Sequence, residues 1–305
     1  MTSCSNLLAI LGPTGVGKSD LAFTLAQQLE GEIIVVDSRQ VYAELDIATN
    51  KPSAVQLAQI RYHLVGIADP RQSFNVSHFV TAARQAMEEI WQRGKLPILE
   101  GGSMLWMDAL LDGFSLAQVE PRPERRAELG ELSVDQLAAL LDQLDPTAKV
   151  DRRNPPRLIR AIEILEVAGP PLARRRQRTA PPWKVIRVGL KADLAVIDRR
   201  LAERSRRQVE RGLVAETAAA LARGVPESAP VLSGIGYREA LAYLRGEFTD
   251  EELPVVMTRS NSRYVRRQLR WLRRDGRIEW FDVSIEPQAR IIEYVKGEVA
   301  RQSNC

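Results

Sequence analysis

The stretch Leu11–Asp20, "LGPTGVGKSD", decides the fold class, because it follows a short apolar run and opens a helical pattern. Gly12, Gly17, Lys18 and Ser19 have the G-x-x-x-x-G-K-[ST] spacing of a P-loop, whose backbone N–H groups surround phosphate oxygens. The lysine of such a loop reaches the terminal phosphates, and the hydroxyl after it is a ligand for Mg²⁺. Ser19 is therefore the predicted metal ligand. The predicted diphosphate-binding residues are Gly12, Pro13, Thr14, Gly15, Val16, Gly17, Lys18 and Ser19.

Strand and helix patterns alternate on both sides of the P-loop. The apolar runs that predict buried strands are Leu7–Leu11, Glu32–Val36, Leu96–Leu99 and Val185–Leu190. Helical spacing predicts helices at Ser19–Leu29, at Ser77–Trp91 with Ser77 as N-cap, and from the glycine pair to about Leu111. Such alternation predicts an α/β fold with a P-loop NTPase-like parallel sheet flanked by helices.

Two later parts of the chain lack this alternation. The segment 114–153 is charged and helix-prone and offers no strand, which predicts a helical insertion. From Leu194 to Arg274 the pattern is helical, with breaks near 224–236 and at Gly246. The predicted division is therefore 1–113 for the P-loop core, 114–153 for the insertion, and 154–305 for the rest of the core with a helical C-terminal part.

Composition and charge narrow the classes of partner. The 305 residues include two cysteines, Cys4 and Cys305, which excludes a disulfide framework. No apolar run approaches the roughly 18 residues of a membrane span, and no signal peptide is visible, so we expect a cytoplasmic protein without membrane contact. Residues 1–150 carry 12 basic and 19 acidic side chains, whereas 151–305 carry 31 and 20. The basic second half predicts contact with a polyanion.

Two carboxylates follow predicted strands. P-loop hydrolases and kinases carry an Asp that binds Mg²⁺ at a strand end, but here Leu96–Leu99 ends in Glu100. Asp37, after Ile33–Val36, is the other candidate. Since the carboxyl ends of parallel strands face the ligand, three roles stay open for Asp37, namely metal ligand, general base and helix N-cap.

The residues that follow Asp37 resemble the tRNA dimethylallyltransferases, the family that prenylates the adenine just 3′ of the anticodon. "DSRQVYAELDIATNKP" at 37–52 is similar to the family block D-S-x-Q-[VI]-Y-x-x-[LM]-D-I-x-T-x-K-P, and "PILEGGSMLWMDALLDG" at 97–113 is similar to P-I-x-x-G-G-[ST]-G-L-Y. Further similar blocks lie at 61–79, 154–172, 235–246 and 258–274, so the resemblance covers about residues 7–281. Met104 and Trp106 replace the usual Gly and Tyr, and we expect them to narrow the prenyl channel.

The resemblance implies a reaction in which the N6 amine of adenine attacks C1 of dimethylallyl diphosphate and pyrophosphate leaves. The P-loop then holds a leaving group, with Mg²⁺ as cofactor. Asp37 is the implied base, and Ser103 is an implied hydroxyl beside the adenine. An arginine that stabilises the leaving group is implied at Arg204, with Arg207 left open.

The expected macromolecular partner is the anticodon stem-loop of tRNA. The resemblance implies tRNA contacts by Asp37, Ser38, Arg39, Gln40, Arg157 and Arg160, and places the insertion, with Arg122, Arg125 and Arg126, over the stem-loop. A separate prediction comes from 259–274, where seven arginines and no acid fall within an arc of about 120° of one helix. The predicted phosphate contacts on this face are Arg266, Arg267 and Arg270.

Two alternatives stay open beside the tRNA enzyme, which we expect to be a monomer. An adenylate prenyltransferase of the cytokinin type would share the fold and the P-loop, but it needs no large basic surface. A nucleotide-binding P-loop ATPase or kinase would release phosphate from ATP. The block that starts at Asp37 argues against this second alternative.

Overall fold

The computed structural model describes residues 6–113, 119–175 and 181–303, without the side chains of Arg174, Arg175 and Ser303. Cys4 and Cys305 lie outside these ranges. The chain divides into two compact units, bounded as Met1–Met107 with Pro182–Cys305, and as Asp108–Pro181. The predicted insertion, 114–153, falls within the second unit, and its role over a stem-loop stays a prediction.

The first unit contains a six-stranded sheet in the order β3-β2-β4-β1-β5-β6. Its strands are β1 (Asn6–Leu11), β2 (Glu32–Val35), β3 (Tyr62–His63), β4 (Pro97–Glu100), β5 (Lys184–Lys191) and β6 (Glu279–Asp282). Every neighbouring pair is parallel, which confirms the predicted sheet. The strand β1 lies between β4 and β5, so the loop after it opens at the middle of the carboxyl edge.

Helices flank this sheet, and the sequence pattern predicted most of them. The helices with residues in the first unit are α1 (Lys18–Gln28), α2 (Ala54–Gln59), α3 (Val76–Gln92), α4 (Met104–Leu111), α8 (Leu194–Glu210), α9 (Leu213–Ala222), α10 (Tyr237–Leu244), α11 (Glu252–Leu272) and α12 (Gln288–Ser303). The predicted N-cap of α3 was wrong. Asn75, not Ser77, begins this helix, because its side-chain oxygen accepts hydrogen bonds from the N–H groups of Ser77 and His78.

The core of the first unit explains the apolar runs. Leu8, Ile10, Ile33 and Ile98 are fully buried and pack with the apolar face of α1. Strands covered on both faces read as continuous apolar runs instead of alternating ones. A smaller cluster of Ile197, Leu201 and Val265 packs α8 against α11.

The second unit is helical in its described residues. It contains α5 (Pro123–Gly130), α6 (Val134–Leu144), α7 (Pro155–Ala168) and a 3₁₀ turn at Leu172–Arg175. Leu129, Leu141, Leu158 and Ile162 are fully buried in its core. The unit therefore has an apolar core of its own.

Candidate active site

The P-loop joins β1 to α1 along a path that glycine permits. Gly12 has a φ of +147°, and a Cβ there would lie 2.6 Å from the Leu190 carbonyl oxygen. Gly17, with a φ of +107°, is the N-cap of α1. This close passage between β1 and β5 directs the loop towards the N-terminus of α1, where backbone N–H groups favour an anion.

Lys18 is buried at the base of the loop, with 7% of its surface exposed. Its Nζ donates a hydrogen bond of 2.9 Å to the Pro13 carbonyl oxygen. Burial lowers the pKa of Lys18 to about 8, although Glu100 raises it in part, Arg204 lowers it further and Asp37 raises it. The ammonium group is therefore held at the loop but poorly solvated, which suits a cation that neutralises a bound diphosphate.

Ser19 and Glu100 form a pair of oxygen donors beside the loop. The Ser19 hydroxyl donates to Glu100 Oε2 at 3.2 Å, and Glu100, at the end of β4, is 4% exposed. Burial raises the pKa of Glu100, while the nearby Lys18 lowers it and Asp37 raises it. A hydroxyl and a carboxylate are hard donors that fit Mg²⁺.

Asp37 follows β2 and is fixed by its own loop. Its Oδ1 accepts hydrogen bonds from the N–H groups of Arg39 at 2.8 Å and Gln40 at 3.4 Å, so it caps a turn rather than a helix. Its Oδ2 accepts no hydrogen bond from the described part of the chain. Burial raises the pKa of Asp37, and the two N–H groups lower it in part. One carboxylate oxygen is thus held while the other remains available.

Ser103 joins this loop to β4 through a close approach of two strand ends. A Cβ at Gly101 would lie 2.1 Å from the Val36 carbonyl oxygen, so only glycine fits there. The Ser103 hydroxyl then accepts a hydrogen bond of 2.9 Å from the Ser38 N–H. The structure therefore brings Ser103 to the loop of Asp37.

Arg204 and Arg207 differ in their surroundings. Arg204 lines the same cavity as Lys18 and Asp37, and burial lowers its pKa while Asp20 raises it. Arg207 has 64% of its side chain exposed and pairs with Glu203. Of the two candidates that the sequence left open, Arg204 is the one that faces the sites of both Lys18 and Asp37.

Gln268 on α11 is a site residue that sequence analysis missed. Its Oε1 accepts a hydrogen bond from the Thr14 N–H at 2.9 Å, and its Nε2 donates to the Gly102 carbonyl at 3.0 Å. Tyr264, one turn earlier, donates to the same carbonyl at 2.7 Å. A buried polar residue within the arginine-rich segment was the signal, but its partners, Thr14 and Gly102, lie far away in the sequence.

One cavity of about 560 Å³ is lined by Lys18, Ser19, Asp37, Glu100, Ser103 and Arg204. Gln40 lines it and is almost fully buried. Arg39 lines it too, but its guanidinium donates to the Pro230 carbonyl and the Ser233 hydroxyl, so this cation holds the loop at 230–233.

Trp106 stacks on Phe79 with ring centroids 4.7 Å apart, and neither Trp106 nor Met104 lines the cavity. Both side chains are buried, and the expectation that they narrow a prenyl channel stays a prediction.

The arginine-rich face of α11 has the exposure predicted from its periodicity. The exposed arginines are Arg259, Arg263, Arg266, Arg267, Arg270, Arg273 and Arg274. Arg267 lines the cavity and lies over the Tyr264 ring, 5.4 Å from its centroid. Arg266 instead lies 3.7 Å from Asp198 on α8. The face is cationic and continues to the cavity, but Arg266 has an internal partner.

The predicted tRNA contacts of the second unit have different environments. Arg157 is exposed, whereas Arg160 donates to the Val119 carbonyl and lies 3.5 Å from Glu163. The three arginines of α5 and its N-cap form ion pairs with Glu163, Glu166 and Glu128, and these arginines are Arg122, Arg125 and Arg126. These ion pairs link the first turn of α5 to α7 within the unit, and a contact of the three arginines with an RNA backbone stays a prediction.

The parallel sheet and the glycine-rich loop at its carboxyl edge make this protein a P-loop α/β protein, a class in which the loop holds a phosphate group. No helix in the described residues is long and apolar enough to cross a membrane.

Comparison with known proteins gives the family. The model of the IPP transferase family matches residues 40–275. A tRNA dimethylallyltransferase of Thermomicrobium roseum is 40% identical over 285 residues, which cover 91% of this chain and 86% of the relative. The solved tRNA isopentenylpyrophosphate transferase of Bacillus halodurans is 33% identical with a TM-score of 0.75, covering 98% of each chain. A eukaryotic dimethylallyltransferase acting on tRNA, 24% identical, shares the fold with a TM-score of 0.82 over 97% of this chain and 80% of its own. The chain belongs to the IPP transferase family.

Proposed function

We propose that this protein transfers a dimethylallyl group from dimethylallyl diphosphate to N6 of the adenine 3′ of the anticodon in tRNA, releasing pyrophosphate. The observation that carries the proposal is one cavity that unites Lys18 of the P-loop, Arg204 and a carboxylate, Asp37, with one free oxygen. Lys18 and Arg204 can stabilise a leaving diphosphate, and Asp37 can accept the proton that the amine must lose. Family membership supports the same reaction.

In the proposed reaction the adenine N6 attacks C1 of the donor, and the bond from C1 to the bridging oxygen breaks. The electron pair of that bond leaves with pyrophosphate, and the proton of the amine goes to Asp37 Oδ2. Lys18, Arg204 and the loop N–H groups stabilise the charge that develops on the leaving oxygens. Burial, which raises the pKa of Asp37, makes this carboxylate a better proton acceptor than an exposed one.

Ser19 and the neighbouring carboxylate have the hard oxygen donors that suit a divalent cation, so Mg²⁺ is the proposed cofactor. When bound, Mg²⁺ would neutralise negative charge on the diphosphate. Ser103 would hold the loop of Asp37 through Ser38 and lie beside the adenine. Ser38 and Gln40, at the same cavity, are the proposed contacts to the base.

The exposed arginines of α11 are the proposed contacts to the tRNA backbone, with Arg267 and Arg270 as the main ones. An adenine in the anticodon loop can leave its stack at modest cost, whereas one in a duplex cannot present its amine. Arg157 on the second unit is a further proposed contact. Since one chain supplies every proposed catalytic group, we propose a monomer, acting in the cytoplasm because its proposed substrate is tRNA.

The test is a mass-spectrometric assay with the protein, Mg²⁺, dimethylallyl diphosphate and an unmodified tRNA transcript with adenine at that position. A gain of C5H8 on that adenine is expected, with none on AMP or ATP tested in parallel. Asp37→Asn should keep tRNA binding and lose most turnover. A gain on AMP or ATP alone would assign the adenylate enzyme instead, and ATP hydrolysis without a gain would refute prenyl transfer.

A further inference from the structure

Glu100 is a buried carboxylate whose charge is only partly compensated by the described residues. It is 4% exposed, and its side chain forms no ion pair with the described residues, where its hydrogen-bond donor is the neutral Ser19 hydroxyl. Lys18 interacts electrostatically with Glu100, but its Nζ donates a hydrogen bond to the Pro13 carbonyl instead. Burying an ionised carboxylate without a counter-ion is unfavourable by several kcal/mol, so such a group usually has a cationic partner.

The position of Glu100 indicates which cation that is. It ends β4 beside β1, at the edge where the P-loop opens, and it lines the cavity with Ser19. The other buried carboxylates among the described residues have partners within the protein. Asp145 accepts hydrogen bonds from two backbone N–H groups, and Glu239 pairs with Arg238. Glu32 is bound by Arg93 and His63, and Glu163 by Arg126. Glu100 differs from them because its missing partner would come from the cavity.

We propose that Glu100, together with the Ser19 hydroxyl, holds the divalent cation that accompanies the donor diphosphate. Magnesium typically binds proteins through one or two carboxylates plus substrate phosphates. This agrees with the described residues, among which no three His, Cys, Asp or Glu side chains form a metal cluster by themselves. The ion would therefore bind together with a diphosphate.

Glu100 stands at a position that the family pattern leaves open. The block P-I-x-x-G-G places an unspecified residue at position 100, immediately before Gly101 and Gly102. The inference rests on the proposed function for the identity of the diphosphate, but the site itself requires only a pyrophosphate group and a cation. It can be tested without tRNA and without prenyl transfer.

The test measures the affinity of the whole protein for inorganic pyrophosphate by isothermal titration calorimetry, with EDTA and with Mg²⁺. For each variant, the enhancement is the dissociation constant in EDTA divided by that in Mg²⁺. Pyrophosphate also binds Mg²⁺ in solution, but this affects every variant equally and cancels when enhancements are compared. Glu100→Gln should reduce the enhancement by Mg²⁺ about tenfold or more, because even the loss of a residue that only orients a metal ligand typically lowers metal affinity by about 10- to 100-fold. In EDTA the same variant should bind pyrophosphate as well as the unmodified protein or better, because a negative charge is removed from the site.

Control variants separate a metal role from a structural one. Glu32→Gln removes a buried carboxylate at the opposite end of the sheet and should leave the enhancement unchanged. Glu100→Asp keeps the charge on a shorter side chain and should retain part of it, which gives a second measurement if Glu100→Gln fails to fold. An unchanged enhancement in Glu100→Gln, or an equal loss of affinity with and without Mg²⁺, would overturn the inference. Prenylation of tRNA by the unmodified protein, assayed separately, decides the proposed function independently.

Discussion

Replacing Lys18 by methionine should abolish a proton uptake that accompanies pyrophosphate binding near pH 8. Burial lowers the pKa of Lys18 to about 8 from an ordinary value of 10.5, with Glu100, Arg204 and Asp37 modifying it in turn. At pH 8, about half of the ligand-free molecules then carry a neutral Lys18, against roughly one in three hundred for an ordinary lysine. A bound pyrophosphate favours the charged form, so binding draws a proton from the buffer.

The magnitude follows from this pKa. Proton uptake by Lys18 should be about 0.5 per pyrophosphate at pH 8 and about 0.1 at pH 7, because about one lysine in eleven is neutral one pH unit below the pKa. Above pH 8 the affinity should fall by up to about tenfold per pH unit for the same reason. Binding takes up protons between pH 7 and 8 only because burial lowers the pKa of Lys18. A lysine with a raised pKa would already be charged and would take up almost none.

Calorimetry in two buffers with different ionisation enthalpies measures the uptake directly. Pyrophosphate exchanges protons of its own, so the quantity of interest is the difference between the unmodified protein and Lys18→Met. Lys18→Arg is the matched control, because it keeps the positive charge without titrating in this range. A difference near zero at pH 8 would refute the argument that burial holds the pKa of Lys18 down.

Three further changes test other parts of the structure. Burial opposes the ionisation of Glu32, but hydrogen bonds from its arginine and histidine partners prevail and lower its pKa to about 2 from 4.5. The lowered pKa contributes about 3 kcal/mol to the free energy of unfolding. This contribution is complete above pH 4.5 and is lost as the pH falls towards 2. In urea unfolding, Glu32→Gln should have the lower free energy of unfolding already at neutral pH, and this free energy should change less with pH than that of the unmodified protein. Parallel curves of unfolding free energy against pH for the two proteins would contradict this prediction. Gln268→Met should lower the free energy of unfolding by about 1–2 kcal/mol, because the Thr14 N–H loses its hydrogen-bond partner while the Gly102 carbonyl keeps the bond from Tyr264. The variant should also weaken pyrophosphate binding, and an unchanged urea midpoint would count against this role of Gln268. Alanine at Arg267 and Arg270 together should reduce the slope of log affinity for tRNA against log salt by about 1.6, whereas Arg245→Ala, at an ion-paired arginine, should not; equal slopes would place the RNA elsewhere.

Patterns within one element were readable from the sequence. The run before the P-loop, the period of α1 and the arginine arc of α11 each depend on neighbours within a few residues. For these, the predicted strand, helix and exposed face were confirmed. The two edge strands, β3 and β6, were missed, because they form where a neighbouring strand supplies hydrogen bonds and have little apolar pattern of their own.

The contacts that complete the site were less readable, because they join distant residues. Asp37 and Lys18 belong to motifs, but Glu100 pairs with Ser19 across 81 positions and Gln268 reaches Thr14 across 254. A buried glutamine in an arginine-rich helix has no periodicity that reveals its partner. Only the packing of α11 against the carboxyl edge of the sheet determines it.

The same packing links the two proposed binding surfaces through one helix. Along α11, Val265, Gln268 and Leu272 are buried. Arg267 is adjacent to Gln268, Arg270 is two positions before Leu272, and both arginines face outward. A movement of the arginine face therefore moves the glutamine that holds the P-loop N–H. Since a closely packed interior resists gradual deformation, the helix holds the arginines and the diphosphate loop in one fixed relation. The arrangement suits a reaction in which an RNA base and a prenyl diphosphate must meet at one carboxylate with little freedom in either.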